Sequence, residues 1–309
     1  MPRIASEHAL DEAVAILREG GLVAVPTETV YGLAARADRD EAVAAIYRAK
    51  GRPSFNPLIV HVADFAIAQT LAETDERAEA LAAKLWPGAL TMVLPLRRDS
   101  GLASAVTAGL ATVALRCPAH PLMRALLEAC AFPLAAPSAN RSGAISPTEP
   151  AHVAASLGAA VPLILDGGVC AAGLESTIVA LRADGSWQIL RPGPIERERI
   201  VSILGAGNEA LEVSVSIEAP GQLASHYAPS KPLRLDAEEA APDEFLIGFG
   251  GVRGQNTLST AGDLGEAAAG LYRCLHEADA SPLARIAVAP IPEGGIGTAI
   301  NDRLRRAAA

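Results

Sequence analysis

Short apolar runs alternate along this chain with longer amphipathic stretches, and this alternation limits its possible folds more than any other feature. Residues 22–25 form one such run, preceded by Gly20 and Gly21 and ended by Pro26, and helical spacing of apolar residues resumes over 40–49. Alternating strands and helices are typical of an α/β protein. We expect further strands at 58–62, 90–96, 112–116, 163–166, 177–181 and 187–190, and helices at 9–19, 75–84, 119–130, 149–157 and 196–204.

A change of character near residue 205 divides the chain. With 309 residues, half of them apolar, the usual size of domains favours two. The segment that follows has no clear helical period, yet it carries His226 and Tyr227 between two prolines, unlike a flexible Gly/Ser spacer. We therefore predict a first domain over 1–206, an ordered linker over 207–231 and a small α/β domain over 232–309. Within that last domain we expect strands at 245–249 and 286–289 and helices at 266–276 and 298–306.

The charge and the distribution of apolar residues exclude several classes of protein. Twenty-six basic against thirty-five acidic side chains give a net charge of −9, which opposes broad attraction to nucleic acid, so any polyanion must bind in a local basic pocket. The sequence contains neither a long uncharged apolar run nor the apolar core of a signal peptide, so we expect a soluble cytoplasmic protein with no membrane span. Four widely spaced cysteines predict neither a zinc site nor a disulfide framework, and we expect them to be buried.

One lysine stands out, because the chain has only three, at positions 50, 84 and 231. Lys50 lies two residues before Arg52 in a loop that Gly51 and Pro53 brace. Two cations so close repel each other, and an anion between them is the natural compensation, with polyphosphate the commonest. A solvated pair of surface charges is the alternative.

Polar side chains lie beside several predicted strands, at the edge where open α/β sheets bind ligands. Thr27 and Thr29 come where we expect a turn and the start of a helix, so they suit a carboxylate or phosphate, although a simple helix cap explains them equally well. Arg116 ends a strand and suits a bidentate grip on a substrate carboxylate. Further candidates are Ser138 and Asn140, which plain turn chemistry explains almost as well, together with Ser146, Glu175, Ser176 and Arg191.

Motifs that are missing from the sequence narrow the chemistry. The chain has no Gly-x-x-x-x-Gly-Lys-Ser/Thr phosphate loop, no His-Glu-x-x-His and no Gly-x-Ser-x-Gly. Ordinary nucleoside triphosphatases, zinc proteases and α/β-hydrolases are therefore disfavoured.

The polar motifs, in order along the chain, are Pro26 to Leu33, Lys50 to Pro53, Asn56-Pro57-Leu58, Trp86-Pro87-Gly88 with Leu90-Thr91, Arg116-Cys117-Pro118, Pro137 to Asn140, Glu175 to Thr177, Arg191-Pro192-Gly193, His226-Tyr227 with Pro229, and Pro290 to Leu304. Together they resemble the threonylcarbamoyl-AMP synthases in their long form. The YrdC-like domain of that family is similar to residues 10 to about 205, and the family's linker and extra C-terminal domain are similar to the remainder. Ala34 stands where the family often has glycine.

The resemblance implies a YrdC-like twisted-sheet domain with a central cleft, followed by a smaller Rossmann-like α/β domain. It also implies a reaction, in which L-threonine, bicarbonate or CO2, and ATP give threonylcarbamoyl-AMP and pyrophosphate. This is the first step toward the t6A nucleoside at position 37 of tRNA, and the product would pass to a tRNA threonylcarbamoyl transferase complex. The linker would cross the mouth of the cleft, where Tyr227 could shield the labile adenylate from water.

The resemblance also assigns site residues. Lys50 and Arg52 would be catalytic, through the charge of the phosphate or carbamate, and Mg2+ would be held by water and ATP oxygens with no protein metal ligand. L-threonine would be bound by Thr29, His61, Arg116, the backbone of Ala136, and Ser176. ATP would be bound by Arg52, Asn56, Thr112, Ser138, Ser146, Arg191 and Tyr227.

Two other classes of function remain open at this point. The first is an RNA-binding module without catalysis, although the net charge of −9 argues for at most weak RNA binding in a narrow basic cleft. The second is a serine hydrolase that uses Ser138 or Ser176, which would need a histidine base that no spacing indicates. His61 itself could simply be a packed histidine of a strand.

Overall fold

The computed structural model describes residues 2–206 and 218–309, so part of the predicted 207–231 linker lies outside the described residues. Its first domain is built on a ten-stranded mixed sheet, in the order β1-β8-β2-β3-β7-β4-β6-β5-β9-β10. The strands are β1 (Arg3–Ala5), β2 (Val23–Val25), β3 (Gly32–Arg36), β4 (Ile59–His61), β5 (Leu90–Pro95), β6 (Thr112–Arg116), β7 (Leu134–Ala135), β8 (Leu163–Leu165), β9 (Thr177–Leu181) and β10 (Trp187–Arg191).

Seven helices of the described chain accompany this sheet, and local sequence signals fix several of their ends. Asp75 accepts hydrogen bonds from the backbone N–H groups of Arg77 and Ala78 at the start of α4, and Pro121 occupies the first turn of α5. The helices are α1 (Leu10–Arg18), α2 (Asp40–Lys50), α3 (Phe65–Leu71), α4 (Glu76–Leu85), α5 (Pro121–Cys130), α6 (Pro150–Leu157) and α7 (Arg197–Leu204).

Strand register places the polar strand ends together. The parallel strands β4 and β6 pair His61 with Arg116, and the parallel strands β5 and β9 pair Leu90 with Thr177. Between these pairs, β5 and β6 run antiparallel with Thr91 opposite Arg116. Residues far apart in sequence therefore meet at one edge of the sheet.

The C-terminal domain is a four-stranded parallel sheet in the order β11-β14-β12-β13, flanked by two helices. Its apolar core continues into the first domain and the linker, because Val30, Ile145, Leu174 and Tyr227 pack in the same buried cluster as residues of this domain. Its elements are β11 (Leu233–Arg234), β12 (Glu244–Gly248), β13 (Asn256–Thr257), α8 (Leu264–Ala280), β14 (Arg285–Val288) and α9 (Gly297–Ala307).

The predicted α/β class and the arrangement of a large sheet domain followed by a smaller domain are confirmed. The predicted helix start at Thr27 and Thr29 is wrong: a turn there leads into strand β3, which pairs with both β2 and β7. All four cysteines are buried and unpaired, as expected. Within residues 2–206 and 218–309, every helix is too short or too polar to cross a membrane.

Candidate active site

A small cavity lies where the ends of β4, β6, β9 and β10 meet the described part of the linker. Its free volume is about 40 Å3, room for only a few water molecules. The first domain lines it with Thr29, Val30, Arg52, Ile59, His61, Arg116, Ala136, Pro137, Ser138, Glu175, Ser176 and Arg191, and the linker lines it with Pro220, Gly221, His226 and Tyr227. Nine of the residues that the sequence assigned to threonine or ATP are therefore brought together.

Arg116 is held in a fixed direction by contacts around its guanidinium group. Its Nη2 donates to Glu28 Oε1 at 2.6 Å, its Nη1 to the Thr29 hydroxyl at 2.8 Å, and its Nε to the Gly88 carbonyl at 3.3 Å. Burial alone would raise the pKa of Glu28, but Arg116 outweighs it and holds that pKa below the usual value. Glu28 also accepts from the backbone N–H of Ala119 at 3.0 Å, so the carboxylate is anchored in turn.

The turn before β3 presents Thr29 to the cavity. The Thr27 hydroxyl oxygen accepts from the backbone N–H groups of Thr29 and Val30 at 3.1 and 3.2 Å, which fixes the turn. It also lies 2.8 Å from the Thr29 hydroxyl. Thr27 therefore organises the segment, whereas Thr29 lines the cavity beside Arg116, from which its hydroxyl accepts a hydrogen bond.

Lys50 and Arg52 occupy different places, although the sequence grouped them. The Lys50 ammonium is buried and donates to the carbonyls of Ser138 and Asn140 at 2.6 and 2.5 Å, so it braces the loop that carries Ser138. Burial and the neighbouring Arg52 hold the pKa of Lys50 well below its usual value. Arg52 itself lines the cavity, and its Nη2 donates to the Pro57 carbonyl at 2.8 Å. Direct contact of Lys50 with phosphate or carbamate stays a prediction.

The ends of β9 and β10 form one wall of the cavity. The Arg191 Nη2 donates to the carbonyl and the hydroxyl of Ser176 at 3.0 and 3.2 Å, and its Nη1 donates to the linker carbonyl of Pro220 at 3.2 Å. The Ser176 hydroxyl also lies 2.7 Å from that of Thr91. Among the contacts of the described residues, no histidine bonds to this serine, which argues against the hydrolase alternative.

His61 and His226 are buried neutral imidazoles in this region. Burial, with a smaller contribution from Arg116, lowers the pKa of His61 to about 3, and burial likewise lowers the pKa of His226 to about 3. The Nδ1 atoms of both rings lack a hydrogen-bond partner in the protein. They can therefore orient a ligand, but they carry no positive charge at neutral pH.

The other predicted residues lie around the cavity at different depths. Asn56 and Ser146 are buried nearby without lining it, and the Asn56 amide has no protein partner. The Ser146 hydroxyl helps to lower the pKa of Glu175 but forms no hydrogen bond of normal geometry. The Tyr227 hydroxyl is likewise buried and has no hydrogen-bond partner. The backbone of Tyr227 has a φ of 64°, which is unusual for a residue other than glycine.

Thr112 begins β6, roughly 13 Å from Arg116 at the usual rise per residue, and does not line the cavity. It lies on the same face of the strand as Arg116, so only an extended ligand could contact both.

Sequence reasoning missed the role of Glu175, the one carboxylate among the described residues that lines the cavity. Its Oε2 accepts from Arg303 and Tyr272 of the C-terminal domain, and its Oε1 has no protein partner. Although burial alone would raise it, Arg303 and Arg191 hold the pKa of Glu175 at about 2. The only sequence signal was its position beside Ser176, because the partners are about a hundred residues away.

Three buried arginines against one carboxylate give the cavity a positive lining that suits several anionic groups at once. Within residues 2–206 and 218–309, no cluster of three or more His, Cys, Asp or Glu side chains offers a preformed metal centre. Fold and site together define a two-domain α/β protein with a cavity, under the described part of its linker, whose lining suits anionic ligands.

Comparison with known proteins identifies the family. Residues 15–193 match the Sua5/YciO/YrdC family, described as telomere recombination, and residues 195–309 match the family described as the threonylcarbamoyl-AMP synthase C-terminal domain. The threonylcarbamoyl-AMP synthase of Bacillus subtilis is 42% identical, with 98% of this chain and 94% of that protein aligned. The crystal structure of Pyrococcus abyssi Sua5 complexed with L-threonine superposes with a TM-score of 0.89 at 36% identity, covering 99% of this chain and 97% of the other. The chain belongs to the threonylcarbamoyl-AMP synthase family, in the form with the additional C-terminal domain.

Proposed function

We propose that this protein converts L-threonine, bicarbonate or CO2, and ATP into threonylcarbamoyl-AMP and pyrophosphate, the first step of t6A modification of tRNA. The observation that carries the proposal is the convergence of Arg52, Arg116 and Arg191 on one buried cavity beside hydroxyl groups. An amino acid carboxylate and a triphosphate need that combination of cations and hydroxyl donors. Family membership supports the same conclusion.

Threonine binding falls to the wall around Arg116. Its oriented guanidinium donates hydrogen bonds to the substrate carboxylate, while the hydroxyls of Thr29 and Ser176 and the backbone of Ala136 bind the other polar groups of threonine. His61, neutral at physiological pH, adds a hydrogen bond without competing as a cation. The unprotonated amine then forms a C–N bond with the carbon of CO2 and releases a proton, or with the carbon of bicarbonate and releases water, and in either case becomes a carbamate.

Adenylation falls to the other side of the cavity. A carbamate oxygen forms a bond to the α-phosphorus as the bond to the leaving pyrophosphate breaks, so positioning and charge neutralisation are the main tasks. Arg52 and Arg191 neutralise phosphate charge. Asn56, Ser138, Ser146 and Tyr227 supply hydrogen bonds, and Thr112 contacts the far end of the extended nucleotide. The chemistry requires no covalent enzyme intermediate.

A magnesium ion that arrives with ATP is compatible with these residues. The unpaired Glu175 Oε1 and Ser146 hydroxyl are hard oxygen donors, the type that Mg2+ prefers, and water and phosphate oxygens would complete its shell. The ion would neutralise phosphate charge.

The linker must move for substrates to enter, because the free volume of about 40 Å3 is far below that of threonine with ATP. Pro220, Gly221, His226 and Tyr227 then act as a lid over the adenylate. Cleavage between residues 206 and 220 should lower product yield or raise futile ATP hydrolysis. Unchanged yield from the cleaved protein would reject the lid.

The decisive experiment measures pyrophosphate release and identifies the product by mass spectrometry. We expect release that depends jointly on threonine and bicarbonate, and a product with the mass of threonylcarbamoyl-AMP. Release that is independent of threonine, or an RNA-binding activity without any release, would refute the proposal. The tRNA threonylcarbamoyl transferase partner and the cytoplasmic location stay predictions.

A further inference from the structure

One arginine of the C-terminal domain is buried in the wall of the first domain's active site. Arg303, on α9, has no exposed surface. Its Nε donates to Glu175 Oε2 at 2.8 Å, its Nη2 to the Pro192 carbonyl at 3.0 Å, and its Nη1 to Asp302 at 2.6 Å. From α8, the Tyr272 hydroxyl donates to the same Glu175 Oε2 at 2.9 Å. A single guanidinium thus joins two separate segments of the other domain.

Those two segments flank the residues that face the ligands. Glu175 immediately precedes Ser176, and Pro192 immediately follows Arg191. Arg191 bonds to Ser176, and Arg303 connects the same two chain segments one residue further on, through Glu175 and Pro192. The segment after β10 touches the segment before β9 directly. A Cβ added to Gly193 would lie 2.6 Å from the Glu175 carbonyl oxygen and 2.4 Å from the backbone nitrogen of Thr177, the first residue of β9.

The same helix also contacts the linker. The Arg306 Nη1 donates to the Leu223 carbonyl at 2.6 Å, and the Arg306 carbonyl accepts from the backbone N–H of His226 at 3.0 Å. The Arg303 guanidinium carbon lies 5.2 Å from the centre of the Tyr227 ring, within the range of a cation–π contact. Helix α9 therefore touches both the wall and the lid of the cavity.

Docking of the two domains does not by itself require this buried charge. Apolar residues of both domains already share one buried cluster. Removing two charges from water is costly, so a buried ion pair adds little net stability compared with apolar side chains of similar volume, but it does fix relative orientation. The arrangement is therefore better explained by positioning than by adhesion.

We propose that Arg303, assisted by Tyr272, is a positioning residue for the synthase reaction, acting through Glu175 and the Pro192 carbonyl to set the placement of Ser176 and Arg191. The C-terminal domain is then a working part of the active-site wall. This inference rests on the proposed function. The inference goes beyond the proposed function because it gives Arg303 and Tyr272, two residues of the C-terminal domain, a role in ligand binding.

The test compares three full-length variants by calorimetric binding of threonine, steady-state kinetics and thermal melting. Arg303→Gln should raise the dissociation constant and the KM for threonine roughly ten- to a hundredfold, because small displacements of binding groups have effects of that size. Tyr272→Phe should shift both in the same direction by less. Arg303→Lys should be intermediate, since it keeps the charge but cannot reach both acceptors.

Arg234→Gln is the matched control, because Arg234 pairs with the buried Glu244 at 2.6 Å within the C-terminal domain, away from the cavity. It should lower the melting temperature and leave threonine binding unchanged. If Arg303→Gln behaves like this control, with wild-type threonine binding and KM, the inference is overturned. Should Arg303→Gln fail to fold, wild-type threonine binding by Tyr272→Phe overturns it equally. A wild-type protein that releases no pyrophosphate refutes the proposed function instead, and the binding comparison still decides the positioning.

Discussion

The first domain and the C-terminal domain treat their buried polar atoms in opposite ways. Around the cavity, side-chain atoms of Asn56, His61, Ser146, Glu175 and Tyr227 are buried without a protein partner. In residues 232–309, by contrast, no buried side-chain nitrogen or oxygen lacks a partner. An unpaired buried polar group costs about 1–3 kcal/mol, so a protein tolerates several together where a ligand will pair with them. The first domain is arranged for binding, and the second for support.

The largest expected effect comes from Arg116, which belongs to the binding region yet already makes three hydrogen bonds within the protein. Arg116→Gln leaves the largely buried Glu28 without its cation, so the free energy of unfolding should fall by about 2–3 kcal/mol and threonine binding should be lost. Urea denaturation and calorimetry measure the two effects. Arg36→Gln is the control, because Arg36 pairs with the partly exposed Asp38 outside the cavity. It should cost about 1 kcal/mol or less and preserve binding. Threonine binding by Arg116→Gln at wild-type affinity would contradict the assignment of the cavity.

The pH dependence of stability tests the two regions together, because buried histidines lie both in the cavity and between the domains. The rings of His152 and His276 stack across the domain interface with centroids 3.7 Å apart, and burial lowers the pKa of each to about 4. His61 and His226 have a pKa of about 3. The folded protein keeps these rings neutral while the unfolded chain protonates them near pH 6.5, so stability is full above that pH and falls as the pH decreases toward 4.

At pH 5 each of these four histidines should reduce the free energy of unfolding by up to about 2 kcal/mol relative to pH 7.5. Urea denaturation at the two pH values measures the difference. His276→Gln removes one interface ring, so the number of protons taken up on unfolding at pH 5 should be smaller by about one. Equal stability of the wild-type protein at pH 5 and pH 7.5 would show that these rings are not buried neutral groups.

Local sequence signals indicated which residues of the first domain line the cavity, but not which residues hold them in place. Arg116 and Arg191 could be placed because each ends an apolar strand. The antiparallel pairs β5–β6 and β9–β10, joined by the parallel pair β5–β9, then bring both strand ends to one edge. Strand β3 was missed because its sequence, Gly-Leu-Ala-Ala-Arg, lacks β-branched residues, and its central position between β2 and β7 overrides that local preference.

The supporting contacts could not be predicted, because they depend on how the domains pack. Glu175 and Arg303 are 128 residues apart, and neither has a local spacing that indicates the other. Lys50 is an example of a residue that the sequence marked as unusual but whose contacts it could not predict. Its unusual position attracted a prediction of phosphate binding, whereas its ammonium donates to two backbone carbonyls about ninety residues away. Sequence patterns report which residues are unusual, and only the tertiary structure reports their partners.

The smallest expected effect is also the most direct test of the contrast between the domains, because it compares two buried serines. Ser146, near the cavity, has an unpaired hydroxyl, whereas the hydroxyl of Ser259, in the C-terminal domain, donates to Glu266 at 2.5 Å and accepts from the backbone N–H of Asp263 at 3.0 Å. Ser146→Ala should change the free energy of unfolding by less than about 1 kcal/mol, because only a weak contact with the Glu175 carboxylate is lost, and it should weaken ATP binding by roughly tenfold. Ser259→Ala should lower the free energy of unfolding by about 1–2 kcal/mol and leave ATP binding unchanged. Urea denaturation and calorimetric titration with ATP measure both. If the two variants lose stability equally and bind ATP equally well, the unpaired hydroxyl is not held for a ligand, and the contrast between a binding domain and a supporting domain fails at this position.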